Sequence, residues 1–272
     1  MNDKETLRNK VFLIAGSEPL GAAGMQTDIK CITACGGYAA GALTCIVDED
    51  TTRVKDIFML PVPLVLSQTV SFLDDVGANC IKTGMLYSKE LIEGLAEILP
   101  RFPDMPKVID PVMVNSKGVQ LLKKEAVESY KSHLFPLATL ITPNKREAEI
   151  LLGRSLNSAD ILSDLKELTQ WGNAVIVKSA DFQETVTDYY YNPASGEFKT
   201  YRKAHIVTTN VNGSGDVFSS AIATFLARGF QLTEAIDKAE AFITEALKLG
   251  AGIAFGSNFG PALPIIPMNC FN

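Results

Sequence analysis

Short apolar runs rich in β-branched residues alternate along the chain with longer stretches in which apolar positions recur every three or four residues. The first run, Val11–Ala15, reads as a buried strand, followed by a glycine-containing loop and a helix with Met25, Ile29 and Ile32 on one face. Gly36 and Gly37 end that helix. Further strands are predicted at 41–47, 78–83, 107–110, 139–142 and 174–178, with helices near 63–75, 88–99, 122–133, 145–153 and 158–171. This alternation predicts an α/β fold: βαβ units building a mainly parallel central sheet with helices on both faces. Right-handed crossovers then place the loops after the strands along one sheet edge, where ligands bind.

The alternation breaks once. Residues 185–191 and 197–201 read as a hairpin with a long turn, and 205–209 as one more strand. Two helices follow. One, over 216–228, turns Val217, Phe218, Ala221, Ile222, Phe225 and Leu226 inward; the other, over 233–249, does so with Ile236, Ala239, Phe242, Ile243, Ala246 and Leu247. With no internal repeat or linker-like tract, one domain is expected over 11–255, between a polar N-terminal tail (1–10) and an irregular Gly/Pro-rich tail (256–272).

Composition narrows the class. The chain has 272 residues, 47% hydrophobic and 21% charged, which excludes collagen-like, coiled-coil and disordered chains. A net charge of −6 repels phosphate backbones and anionic lipid, so neither nucleic acid nor membrane is an expected partner. The polar start and the short first apolar run predict neither a signal peptide nor a spanning helix. Five cysteines without a CxxC predict reduced thiols and a cytoplasmic protein, with Cys31 and Cys35 packing one helical turn apart.

The strongest chemical signal is Thr208–Asp216, TTNVNGSGD, which runs straight into a helix. Glycines at a helix mouth let free backbone N–H groups converge, and the helix dipole adds positive charge: an anion site suited to phosphoryl transfer. Asp216 at its edge is either a member of that site or a helix cap. Asn144 and Glu147, three apart after a predicted strand, either share a hydrated Mg²⁺ or phosphate or form an N-terminal cap. Asp110 and Lys178 each end an apolar strand, so each is either solvated or in a site on the same edge. The loop at Gly16–Gly24 lacks the dinucleotide spacing, no GxxxxGK[ST] occurs, and His133 and His205 have no nucleophile elbow beside them.

Taken in order, the blocks IAGSEPLGAAGMQTDIK (14–30), ALTCIVDEDT (42–51), IKTGML (81–86), VIDPVMVNSKG (108–118), LITPNKREAEIL (140–151), VIVKSAD (175–181) and VNGSGDVFSSAIA (211–223) resemble the ribokinase-like superfamily. Within it they are most similar to the hydroxymethylpyrimidine/phosphomethylpyrimidine kinases of thiamin synthesis, relatives of the pyridoxal kinases. The resemblance implies a ribokinase-like fold and transfer of the ATP γ-phosphoryl to a hydroxymethyl group on a heteroaromatic ring. It implies Gly213, Ser214 and Gly215 as an anion hole and Asp216 as the base that takes the hydroxyl proton. It further implies that Asp110 and Glu147 organise Mg²⁺, that Asn144, Lys178, Thr208 and Asn212 contact ATP, and that Gly16, Glu49, Met85 and Val112 form the ring pocket. Kinases of this kind are often dimers, so family analogy makes a homodimer a candidate assembly.

Three departures bear on the substrate. Many pyrimidine kinases of the family carry Cys where Asp216 stands, whereas pyridoxal kinases carry Asp. The first loop has Glu18, Leu20 and Ala22 where the family shows an Asp and a Gly pair, and Ser179-Ala180 replaces a Gly pair after Lys178. The leading expectation is a hydroxymethylpyrimidine kinase, with the monophosphate as a candidate second substrate and one or two phosphorylation steps left open. The alternatives are a pyridoxal/pyridoxine kinase and a non-catalytic vitamer sensor. Ligand closure is expected to order Asn115–Gly118.

Overall fold

The computed structural model describes residues 7–114, 122, 124–182 and 184–265. Nine strands form one sheet in the order β3-β2-β1-β4-β5-β6-β7-β8-β9. These are β1 (Lys10–Ser17), β2 (Tyr38–Glu49), β3 (Val54–Met59), β4 (Cys80–Thr83), β5 (Lys107–Ile109), β6 (Leu140–Ile141), β7 (Ala174–Phe182), β8 (Thr185–Asn192) and β9 (Glu197–Ala204). From β2 through β1 and β4 to β7 every pairing is parallel, while β3 at one end and β8 and β9 at the other pair antiparallel. The helices are α1 (Gly24–Ala34), α2 (Val62–Asp75), α3 (Lys89–Ile98), α4 (Lys124–Ser129), α5 (Lys145–Leu152), α6 (Ile161–Leu168), α7 (Ser214–Ala227) and α8 (Leu232–Ala251).

Both faces of the parallel part of the sheet are buried, which is why its strands read as continuous apolar runs. Phe12 and Ile14 of β1, with Val175 and Val177 of β7, face the core beneath α2–α6. Their neighbours Val11, Leu13 and Ala15, with Ala174 and Ile176, face the core beneath α1, α7 and α8. The sheet is thus two-sided, and its parallel strands all deliver their C-terminal ends to one edge.

Two expectations require correction, and one strand was not predicted. Residues 205–209 form no strand, because the last ladder pair is Thr185 with Ala204 and the chain then leaves the sheet edge. The inward stripe of α1 holds Met25, Asp28, Cys31 and Ile32, whereas Ile29 is exposed. Asp28 takes the inward place because a buried lysine of β4 neutralises it. Strand β3 carried no sequence signal, since its residues are mostly exposed and do not alternate. The segment 256–265 has no helix or strand, yet it is packed: Asn212 N–H donates to Gly260 O, Ala262 N–H to Asn212 O and Leu263 N–H to Ala246 O. Asn115–Gly118 and Cys270 lie outside the described residues. Cys31, Cys35, Cys45 and Cys80 are free, buried thiols. Among the described residues no helix is long and apolar enough to cross a membrane.

Candidate active site

A cavity of about 630 Å³ opens along the C-terminal edge of the sheet, and every candidate site residue named above lines it. Gly16, Glu49, Met85 and Val112 reach it from the ends of β1, β2, β4 and β5. Asn144, Lys178, Thr208 and Asn212 reach it from the far half of the sheet and the loop before α7. Gly16 sits where the register of β1 against β2 shifts, and a Cβ there would come within 2.8 Å of Cys45 Sγ and 3.2 Å of Met85 Cε. Only a hydrogen fits at that point of the pocket wall. Glu18, buried in the first loop, accepts the N–H groups of Leu20, Ala22 and Ala23, so it ties that loop together.

The mouth of α7 is an anion site in geometry. Gly213 is its N-cap in the left-handed region (φ 67°), and the first intrahelical bond runs from Val217 N–H to Gly213 O. Ser214 N–H donates to Val211 O, which leaves Gly215 and Asp216 as the first-turn N–H groups without a preceding helical carbonyl. Lys178 Nζ lies so near that a Cβ on Gly215 would stand 3.1 Å from it.

Asp216 does not cap its own helix. One carboxylate oxygen accepts Gly24 N–H at 3.2 Å, and the other accepts Lys82 Nζ at 3.3 Å. Lys82 is fully buried and also donates to both oxygens of Asp28, at 2.8 and 2.9 Å. Ser220 Oγ adds a third hydrogen bond to Asp28, at 2.7 Å. Burial pushes the Asp28 carboxyl up to about 7 against the pull of Lys82, while the surrounding carboxylates hold the Lys82 ammonium well above its usual range. Sequence reasoning missed both residues. The available signal was a lysine inside the apolar run Cys80–Thr83, which in a doubly covered sheet demands a buried counter-ion.

Beside this triad stands a second ion cluster. Lys178 Nζ donates to Asp110 Oδ1 at 2.9 Å, and Ser219 Oγ donates to Asp110 Oδ2 at 3.0 Å. Glu147 and Asn144 form a capping box at the start of α5, so the cap reading of that pair holds. Glu147 also accepts Met113 N–H at 3.1 Å, and burial pushes its carboxyl up to about 7 although Lys178 opposes the shift. All four oxygens of Asp110 and Glu147 therefore already accept a protein donor. Each oxygen keeps a second lone pair, which suits a cation that retains its water shell, as Mg²⁺ does. Among the described residues no cluster of three or more His, Cys, Asp or Glu side chains forms an all-protein metal cage.

The half of the cavity nearest β7–β9 holds a third cluster that sequence reasoning also missed. Asp188 Oδ1 accepts Ser179 N–H at 2.6 Å, and its Oδ2 accepts Lys203 Nζ at 2.8 Å. Lys203 also pairs with Glu240 of α8.

A sheet with this edge, a glycine-opened helix mouth and paired Lys/Asp clusters define an α/β protein built to hold phosphates. The chain belongs to the phosphomethylpyrimidine kinase family, whose model matches residues 18–263. It is 32% identical over 269 residues to the hydroxymethylpyrimidine/phosphomethylpyrimidine kinase of Mycobacterium tuberculosis, covering 96% of this chain and 95% of that one. It is 34% identical over 262 residues to the thiamine biosynthesis bifunctional protein ThiED of Geobacter sulfurreducens, covering 95% of this chain. The chain spans about half the length of such bifunctional relatives, 53% in that case. Among solved structures, the pyridoxal kinase of Staphylococcus aureus in complex with AMP-PCP and pyridoxal superposes with a TM-score of 0.83 at 31% identity, over 94% of this chain and 93% of that one. The expected ribokinase-like fold is thus the observed one.

Proposed function

We propose that the chain transfers the γ-phosphoryl of ATP to the hydroxymethyl group of 4-amino-5-hydroxymethyl-2-methylpyrimidine, with Asp216 as the base. The observation that carries this is the single cavity edge that brings Asp216, the mouth of α7 and Lys178 together with the pocket of Gly16, Glu49 and Met85. Asp216 takes the hydroxyl proton as the oxygen attacks. The free first-turn N–H groups of Gly215 and Asp216 and the Lys178 ammonium receive the charge on the phosphoryl oxygens. Phosphoryl transfer asks chiefly for such positioning and charge stabilisation. Mg²⁺ bound with ATP would neutralise phosphate charge, and Asp110 and Glu147 would hold it through its waters. Glu49 hydrogen-bonds the ring nitrogens or amino group.

A second reading is a pyridoxal or pyridoxine kinase. Asp216 favours it, and so does the likeness to a kinase solved with pyridoxal. Coupled ADP release with Mg-ATP and hydroxymethylpyrimidine, its monophosphate or pyridoxal in parallel decides between them. Higher kcat/KM on the pyrimidine supports the first reading, and higher kcat/KM on pyridoxal replaces it with the second. Ligand binding without ADP release from any of the three leaves a vitamer sensor.

A further inference from the structure

We propose that Lys82 is a positioning residue for phosphoryl transfer: as the ion-pair partner of the Asp216 carboxylate it keeps that carboxylate aimed into the cavity, and Asp28 holds Lys82 in place to do so. The inference deepens the proposed function, since it rests on Asp216 being the base. Lys82 is absent from the cavity wall and has no exposed surface, so it acts through Asp216 alone. Asp216, by contrast, keeps 16% of its side chain exposed on that wall.

The hydrogen-bond geometry assigns each group its part. Lys82 has three N–H donors: two are taken by the oxygens of Asp28, and the third points at Asp216 Oδ1. Gly24 N–H engages Asp216 Oδ2, so the carboxylate is tethered at both oxygens and turned by neither solvent nor its own helix. One lone pair on each oxygen stays open to receive a proton. Asp216 is faced by charge from three elements: Lys82 on β4, Lys178 on β7 and Asp28 on α1. Lys178 is paired with Asp110 at 2.9 Å, and of the two cations Lys82 is the one hydrogen-bonded to Asp216. Removing the Lys82–Asp28 pair therefore leaves the base in a partly dry site without a cation in contact. A carboxyl in that setting takes up its proton at higher pH, before it can serve as base.

Lys82→Met alone strands a buried Asp28, so the informative variant is Lys82→Met with Asp28→Asn, which removes both charges of the buried pair. The readout is the titration of the Asp216 carboxyl carbon in protein labelled with ¹³C-aspartate, the signal assigned by its loss in Asp216→Asn. We expect the Asp216 midpoint to be higher in the double variant than in the wild type, since the contacting cation is nearer to Asp216 than the carboxylate removed with it. The acid limb of kcat/KM should follow it, with KM for Mg-ATP unchanged. Asp28→Asn alone leaves Lys82 against Asp216 and should not raise the midpoint, and Lys82→Arg should leave it as in the wild type. An unmoved midpoint in the double variant overturns the proposal, as does an equal rise in Asp28→Asn alone. Absence of ADP release from the wild-type protein overturns the kinase reading instead, and the carboxyl titration still decides the role of Lys82.

Discussion

Gly213 lies directly against Ala22: a Cβ on Gly213 would come within 2.0 Å of the Ala22 carbonyl oxygen. This contact joins the mouth of α7 to the first glycine-rich loop, two segments almost two hundred residues apart in sequence. Gly213 also holds a φ of 67°, which an L side chain adopts at a cost of roughly 1–2 kcal/mol. Gly213→Ala meets both obstacles, and the obstacle is backbone, which cannot swing aside as a side chain can. The expected result is lost turnover together with a lower melting temperature, read by ADP release and a thermal melt on the same preparation. A variant with wild-type turnover would mean that the two loops separate freely and that their contact does not shape the site.

Asp216→Asn tests the base. The amide keeps the size of the side chain and can still accept from Gly24 N–H, so the fold and nucleotide affinity should persist. The rate should fall roughly 10²–10⁴-fold, the usual worth of a general base. Turnover near that of the wild type would reduce Asp216 to an electrostatic bystander. Single-turnover measurements separate this chemical loss from slow product release.

Ser179 stands where the family pattern has glycine, and the structure shows the consequence. Its φ is 50°, in the left-handed region, and its N–H is held by Asp188 at 2.6 Å. The serine side chain is exposed, whereas the bond that matters belongs to the backbone. Ser179→Gly should therefore keep the Asp188 contact and relieve strain. Set against the greater chain entropy of glycine, the net gain is about 0.5–1 kcal/mol. Urea unfolding monitored by fluorescence checks it; a loss of stability would show that the serine side chain makes a contact of its own.

The parallel part of the fold was legible because burial on both sheet faces turns strands into apolar runs such as Val11–Ala15 and Ala174–Val177. The loop residues were legible too, because strand ends in such a sheet share one edge. What escaped notice has a common physical cause. Asp28, Lys82, Asp188 and Glu240 are buried charged residues, and Lys203 a half-buried one, held by pairing with partners distant in sequence, and local spacing carries no record of a partner. Ile29 was misassigned for that reason, since Asp28 occupies the inward position that an apolar residue was expected to fill. Strand β3 escaped because an edge strand with exposed faces needs no apolar pattern.

Glu240 gives the protein a pH dependence of stability. Burial, with Asp188 adding to it and Lys203 opposing, pushes its carboxyl from 4.5 up to about 8. One of its oxygens, Oε1, is buried without a hydrogen-bond partner, which favours the protonated form further. A carboxyl whose folded-state pKa exceeds its unfolded value binds its proton more tightly in the folded protein. The stability it contributes is therefore complete below about pH 4.5 and is lost as pH rises toward about 8. Between those limits the unfolding free energy should fall by up to about 1.4 kcal/mol per pH unit for this one proton. Glu240→Gln mimics the protonated form at every pH and should flatten that part of the profile, making the variant relatively more stable at pH 8 than at pH 5. Urea midpoints measured at half-unit intervals over this window test it. Parallel profiles for the two proteins would mean that Glu240 stays ionised against Lys203 throughout, and that the Lys203 ammonium outweighs the desolvation of the carboxylate.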